Sequence, residues 1–228
     1  MNFLIASFFI LLTIISFVFA KWLYQRVYTP LLLPLTVATV IIIVFLLIFN
    51  IDFDTYMIGG DLISELLGPA VVALAYPLYQ QRERLKQLLM PLIIGSFIGS
   101  IVGIVSGLLM TKWFGFSDEL IYSITSKSVT TPVAVEITED LDGIISLAAV
   151  FVMVAGIGGA MMSNYIYRIF HLDTPIGKGV GIGAASHGIG TAKALENSEL
   201  EGSFSSIAMI LSAIFVSFLM PFMIALFM

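Results

Sequence analysis

The chain has 228 residues, 59% of them hydrophobic and 11% charged, with a mean hydropathy of +1.07 and a net charge of -5. Soluble domains carry about 25% charged residues, so no soluble domain of useful size is left over, and the absence of a basic patch argues against nucleic acid. With no cysteine, two histidines and no H-E-x-x-H or D-x-D pair on a helix face, no metal, cofactor or catalytic residue is expected.

Several apolar runs approach the roughly 20 residues that cross a bilayer. The expected class is therefore all-α: a polytopic integral membrane protein, with residues 1–228 forming one transmembrane domain in the lipid bilayer. The first run, residues 3–20, has no positive residue before it and no small-residue cleavage site before Lys21, so it reads as a retained helix. A link with Lys21 and Arg26 leads to a second span, residues 31–49, with Pro34 near its start, where proline costs least. An acidic segment follows, with Asp52, Asp54, Asp61 and Glu65. Lysine and arginine favour the cytoplasm, which puts the N-terminus outside.

Residues 62–79 carry Gly68 and Pro69 near the entry and Pro77 near the exit, and read as a broken or kinked crossing. The link 80–87 is the most basic, with Arg82, Arg84 and Lys86 against Glu83, and is placed in the cytoplasm. In the fourth span, residues 88–110, Gly95, Gly99, Gly103 and Gly107 recur every four residues. That period lines them up on one helix face, where another backbone can approach closely.

A short amphipathic segment, 113–124, leads into K-S-V-T-T-P-V-A-V-E-I-T-E at residues 127–139. Pro132 disfavours an unbroken helix there, and a break inside a membrane is tolerated only where protein covers it or where it lines a watery cavity. A polar surface loop is the other reading, but Val129, Val133, Ala134, Val135 and Ile137 have little reason to sit in one. Lys127 either counters an anion within the membrane or snorkels to an interface. Ser128, Thr130 and Thr131 either bind a carboxylate, cation or water, or cap the broken helix ends. Glu136 is a coupling candidate if buried, since burial raises a carboxyl pKa, and a solvated rim residue if not.

Residues 144–162 form a further span. The stretch 177–194, G-K-G-V-G-I-G-A-A-S-H-G-I-G-T-A-K-A, is too rich in glycine for a regular helix throughout, and it lacks the strand and the G-x-x-x-x-G-K-[ST] pattern of a nucleotide loop. Within it Ser186 and His187 form a second polar centre, for substrate or proton on one reading and for helix contact on the other. Thr191 and Lys193 follow on neighbouring turns, while His171 reads as ordinary surface. The last span runs over 203–227, with Pro221 bending it.

G-P-A-V-V-A-L-A around Pro69 is echoed by T-P-V-A-V-E-I-T around Pro132; Gly95 lies 26 residues past the first proline and Gly158 lies 26 past the second. The links that follow are net +2 over residues 80–87 and net -4 over residues 136–142. Opposite charges at matching positions suit an inverted repeat with interrupted helices meeting near mid-membrane. The expected count is seven crossings, 178–194 among them, plus a re-entrant hairpin over 113–137.

Four segments, L-L-G-P-A-V-V-A-L-A-Y-P-L-Y at 66–79, K-S-V-T-T-P at 127–132, A-S-H-G-I-G-T-A at 185–192 and E-G-S-F-S-S at 201–206, resemble the signature segments of the LrgB and CidB family in order and over nearly the whole chain. Ser126 departs from the proline expected before Lys127, which leaves the start of that broken helix open. The resemblance implies an antiholin-like protein of the bacterial plasma membrane, linked to murein hydrolases and lysis and accompanied by a small LrgA/CidA-like membrane partner. It also implies likeness to the membrane portion of the plastid glycolate and glycerate translocator. Carried over by motif, the candidate site residues are Gly68, Pro69, Lys127, Ser128, Thr130, Thr131, Pro132, Ser186, His187, Gly188, Gly190 and Thr191. The function expected is secondary transport of a small monocarboxylate such as pyruvate or glycolate, with proton coupling left open. The alternative is a holin/antiholin-like regulator, for which the glycine face at 95–107 suits helix association and a homo-oligomer.

Overall fold

A computed structural model describes residues 2–27, 32–66, 69, 72–73, 75–80 and 82–228, and among them finds eleven helices and no strand. The chain divides into two compact units, 1–73 and 74–228. In the first, α1 (Asn2–Val27), α2 (Pro34–Ile48) and α3 (Phe53–Ser64) pack together. α1 is apolar on every face, so it continues through Lys21 to Val27, and the expected basic link forms its last turns, with the Arg26 guanidinium 4.6 Å over the Trp22 ring. Gly59 lets α3 approach closely, since a Cβ there would lie 2.6 Å from Ala6 O, and Thr13 Oγ1 meets Tyr56 OH at 3.1 Å. Of the crossing expected over 62–79, residues 67, 68, 70, 71 and 74 lie outside the described residues, Gly68 among them.

The second unit holds α4 (Ala75–Gln80), α5 (Arg82–Gln87), α6 (Leu89–Trp113), α7 (Asp118–Thr125), α8 (Thr131–Asp140), α9 (Ile145–Ile169), α10 (Pro175–Asn197) and α11 (Glu199–Phe227). α1, α6, α9 and α11 are each long and apolar enough to cross a membrane, while α2 is apolar but shorter. The protein is thus an all-α, multi-pass membrane protein. α6 and α11 run in the same direction. Leu92 near the start of α6 shares a core with Phe204 near the start of α11, and Ile104 and Leu108 share another with Val216 and Met220. α9 runs the opposite way: its Val152 belongs to the second of these cores, and its Tyr167 packs near Ile182 of α10.

α7 and α8 are joined by five non-helical residues, 126–130. Pro132 sits in the first turn of α8, where its missing N–H has no partner to lose; it starts a helix instead of kinking one. From the far end of α6 the chain runs back along that helix, so that a Cβ on Gly107 would be 3.5 Å from Thr125 Cα and one on Gly103 would be 3.0 Å from Ser128 Oγ. α8 then returns: Ser126 Oγ lies 3.1 Å from Thr138 Oγ1, and Ser123 Oγ accepts from Ile144 N at 2.7 Å.

α10 differs from the crossing expected over 178–194. It breaks at His187 (φ 41°, ψ -130°) and folds back on itself, as its neighbours on α11 show. Ser205 touches both Gly183 and Thr191, while the 201–202 turn touches both Gly179 and Leu195. An unbroken helix would hold Gly179 and Leu195 about 24 Å apart. Each half is about 15–18 Å long, half the roughly 30 Å of a hydrocarbon core. The glycines make this packing possible, since a Cβ on Gly183 would lie within 3.0 Å of the Ser205 backbone.

Glycine tolerance should divide accordingly. Gly183→Ala is expected to lower stability by about 1–3 kcal/mol through overpacking against a backbone that cannot yield. Gly158→Ala, facing open space, should be neutral or stabilising by up to about 1 kcal/mol. Thermal unfolding of the detergent-solubilised chain measures both.

Candidate functional site

The two interruptions approach each other on the glycine face of α6. A Cβ on Gly95 would lie 2.8 Å from Val180, one on Gly99 3.1 Å from Ala184, one on Gly103 3.0 Å from Ser128 Oγ, and one on Gly107 2.9 Å from Lys127 Nζ. The first two contacts belong to the ascending half of α10 and the other two to the 126–130 break. The face is therefore occupied within the chain. It holds a hairpin from each end of the unit, and their tips meet near the middle of a 25-residue helix.

Where they meet lies a cavity of about 350 Å³, lined by Lys127 and Ser128, by glycines and Val102 of α6, by Ala155 of α9, and by Val180, Gly181, Ala184 and Ala185 of α10. Small side chains leave the space, and one amine and two hydroxyls, those of Ser128 and Ser106, give it polarity; Ser106 Oγ donates to Gly103 O at 3.1 Å. Lys127 Nζ donates to Gly103 O at 3.2 Å. Among the described residues no carboxylate comes within 4.0 Å of it; the ion pairs found involve Arg82, Lys86 and Lys193.

Ser186 and His187 form the tip of α10, next to this cavity but turned towards α9. His187 is buried, donates from Nε2 to Val152 O at 3.0 Å, and packs its ring where a Gly156 Cβ would be. Its positive φ is a conformation that side chains other than glycine adopt at a cost of about 1–3 kcal/mol; Gly156 and the Val152 carbonyl hold it there. Ser186 Oγ is fully buried against Gly159 with no hydrogen-bond partner among the described residues. Thr191 Oγ1 donates to His187 O at 2.8 Å and meets Ser205 Oγ at 2.9 Å, which ties the tip to α11.

The remaining predicted residues lie elsewhere. Thr130 is half-buried, whereas Thr131, Pro132 and Glu136 are exposed. Pro69 is exposed and belongs to the first unit. Sequence reasoning overlooked the hydroxyls that anchor the first hairpin, Ser123, Ser126 and Thr138, all buried. Ser126 stands where a proline was expected and uses its hydroxyl to bridge to Thr138. The signal open to sequence reasoning was the small hydroxyl residues Ser123 and Thr138 on the short segments that flank the break at 126–130. Among the described residues no group of three or more His, Asp or Glu could hold a metal ion.

The arrangement defines a multi-pass helical membrane protein in which two interrupted segments converge on a small-residue face. The chain belongs to the LrgB-like family, whose profile matches residues 13–226. It is 41% identical over 223 residues to YxaC of Bacillus subtilis, covering 98% of this chain and 97% of that one. It is 38% identical over 218 residues to the holin-like protein CidB of Staphylococcus aureus (96% and 95% covered), and 35% identical over 218 residues to the holin-like protein CidB of Staphylococcus epidermidis, with the same coverage. No solved structure matches. Family and helices together place the chain as a multi-pass protein of the bacterial plasma membrane.

These relatives correct the expected function. Secondary transport of a monocarboxylate such as pyruvate or glycolate is overturned by near full-length similarity to proteins named holin-like, which supports the regulatory alternative. The geometry gives the physical reason for the error. The polar residues grouped in the sequence as one carboxylate cradle are dispersed, with His187 engaged by Val152, Thr191 by Ser205, and Thr131 facing outward.

The meeting of the first tip with α6 can be tested covalently, because the chain has no native cysteine. Cysteines at 103 and 128 would place their Cβ atoms about 3.5 Å apart, within disulfide range. The double variant Gly103→Cys/Ser128→Cys is expected to form an intramolecular bond under mild oxidant, read as a mobility shift reversed by reductant. A pair at 103 and 131 should not form one.

Proposed function

We propose that this chain is a holin/antiholin-like regulator of murein hydrolase activity and cell lysis, acting in the bacterial plasma membrane together with a small LrgA/CidA-like membrane protein. The observation that carries this reading is similarity along almost the whole chain to CidB proteins named holin-like. The family match, residues 13–226, runs across both compact units, which supports treating residues 1–228 as one functional module.

The geometry supports a specific form of regulation. α7–α8 and the folded α10 are read as re-entrant hairpins that enter from opposite faces, so that α6, α9 and α11 are the crossings of the second unit. The two hairpins form an inverted pair. Each tip interrupts helical hydrogen bonding in the depth of the bilayer, which is tolerable only beside protein or a polar cavity. A modest displacement of either tip along the glycine face would extend that cavity and change local permeability. The small partner protein biases this displacement, and the envelope reads it out as murein hydrolase activity.

Deletion of the gene, alone and together with that of the small partner, is expected to change detergent-induced autolysis and the murein hydrolase pattern on zymograms several-fold. Complementation should restore both. Unchanged autolysis and zymograms in the deletion and on overexpression would remove the proposal.

A further inference from the structure

The cavity between the hairpin tips holds a cation with nothing opposite it. Lys127 Nζ has one acceptor, the Gly103 carbonyl, and among the described residues no acidic side chain within ion-pair distance. Ser128 is buried in the same wall, and its hydroxyl takes part in no hydrogen bond among the described residues. Of the other walls, Ser106 has its hydroxyl proton committed to the Gly103 carbonyl at 3.1 Å, and the rest are backbone and apolar groups such as those of Gly95, Gly99, Ala155, Val180 and Ala184. An ammonium ion in the low-dielectric middle of a membrane is costly unless paired or hydrated, and about 350 Å³ leaves room for an ion with some of its water.

We propose that this cavity binds one small monovalent inorganic anion, held by the Lys127 ammonium and the Ser128 hydroxyl, with weakly hydrated anions bound best. The order follows from the walls. A single fixed charge returns nearly the same Coulomb energy to every monovalent anion of similar size, and methyl-lined walls give back nothing for lost water. Affinity is then ranked by the ease of dehydration: thiocyanate before iodide, then nitrate, with chloride last. A divalent oxyanion such as sulfate brings a second charge that no residue of the cavity balances, so it is excluded. The inference stands on the cavity alone and goes beyond the regulatory reading.

The test uses the full chain in detergent, with the sodium salts of these five anions titrated at constant ionic strength. Melting temperature is followed for the wild type, Lys127→Met, Lys127→Arg and Ser128→Ala. General salt effects do not saturate and are shared by all four proteins. The expected result is a saturable rise in the wild type relative to Lys127→Met, largest for thiocyanate, smallest for chloride and absent for sulfate. Lys127→Arg should keep the rise, and Ser128→Ala should need several-fold more anion to reach it. Equilibrium dialysis of radio-iodide against the wild type needs no variant and should show about one site per chain, emptied by thiocyanate. Absence of that site, identical curves for the wild type and Lys127→Met, or sulfate acting as well as thiocyanate would overturn the proposal. Because none of these readouts involves autolysis, their failure leaves the regulatory reading standing, and the reverse also holds.

Discussion

Backbone polar groups that leave a helix inside hydrocarbon must find a partner in the protein, and the second unit is arranged around that requirement. Two segments interrupt their helices, at residues 126–130 and at His187. Each interruption is covered by a surface from which side chains have been removed. Gly103 and Gly107 make room for Ser128 and Lys127, Gly156 for the His187 ring, and Gly183 for the Ser205 backbone. The hydrogen bonds that replace the helical ladder are short-range and specific: Lys127 to the Gly103 carbonyl, His187 to the Val152 carbonyl, and Ser126 to Thr138. α6, α9 and α11 frame these contacts by alternating in direction, which gives each hairpin one end of the unit as its base.

The helical, multi-pass nature of the chain was legible because composition and the length of apolar runs determine it. The first interruption was legible too, since hydroxyls, a lysine and Pro132 mark it within apolar surroundings. The direction of the second was not. A glycine-rich run from 177 to 194 signals that a regular helix is disfavoured, but says nothing about whether the chain bends, crosses or turns back. That is decided by tertiary contacts with α11, through Ser205 and the 201–202 turn, which lie well along the chain from the first half of α10. The four-residue glycine period showed that something packs closely on α6. It did not show that the occupants are two hairpin tips from the same chain.

Function was harder to read for a related reason. A lysine, a histidine and several hydroxyls in membrane segments suggest a ligand, and grouping them by sequence suggested a carboxylate. In the fold His187 and Thr191 hold the second interruption together, Thr131 faces outward, and Lys127 and Ser128 of that polar set line the cavity. Similarity to holin-like proteins then carries more weight than residue chemistry, because it covers the entire arrangement and not a selection of side chains.

The turn at His187 also redistributes charge. Because α10 leaves and re-enters the same end of the unit, the stretch before it, with Arg168 and Lys178, and the stretch after it, with Glu196 and Glu199, share one surface. A reading with a crossing between them would assign the basic groups to one leaflet and the acidic groups to the other. The basic 80–87 link lies at this end too, since Leu85 shares a core with Phe204 against which Ile176 and Leu200 pack, and acidic groups weigh little in membrane orientation. Arg168 and Lys178 therefore add to the basic residues of the 80–87 link at one end of the unit, the end that lysine and arginine direct to the cytoplasm.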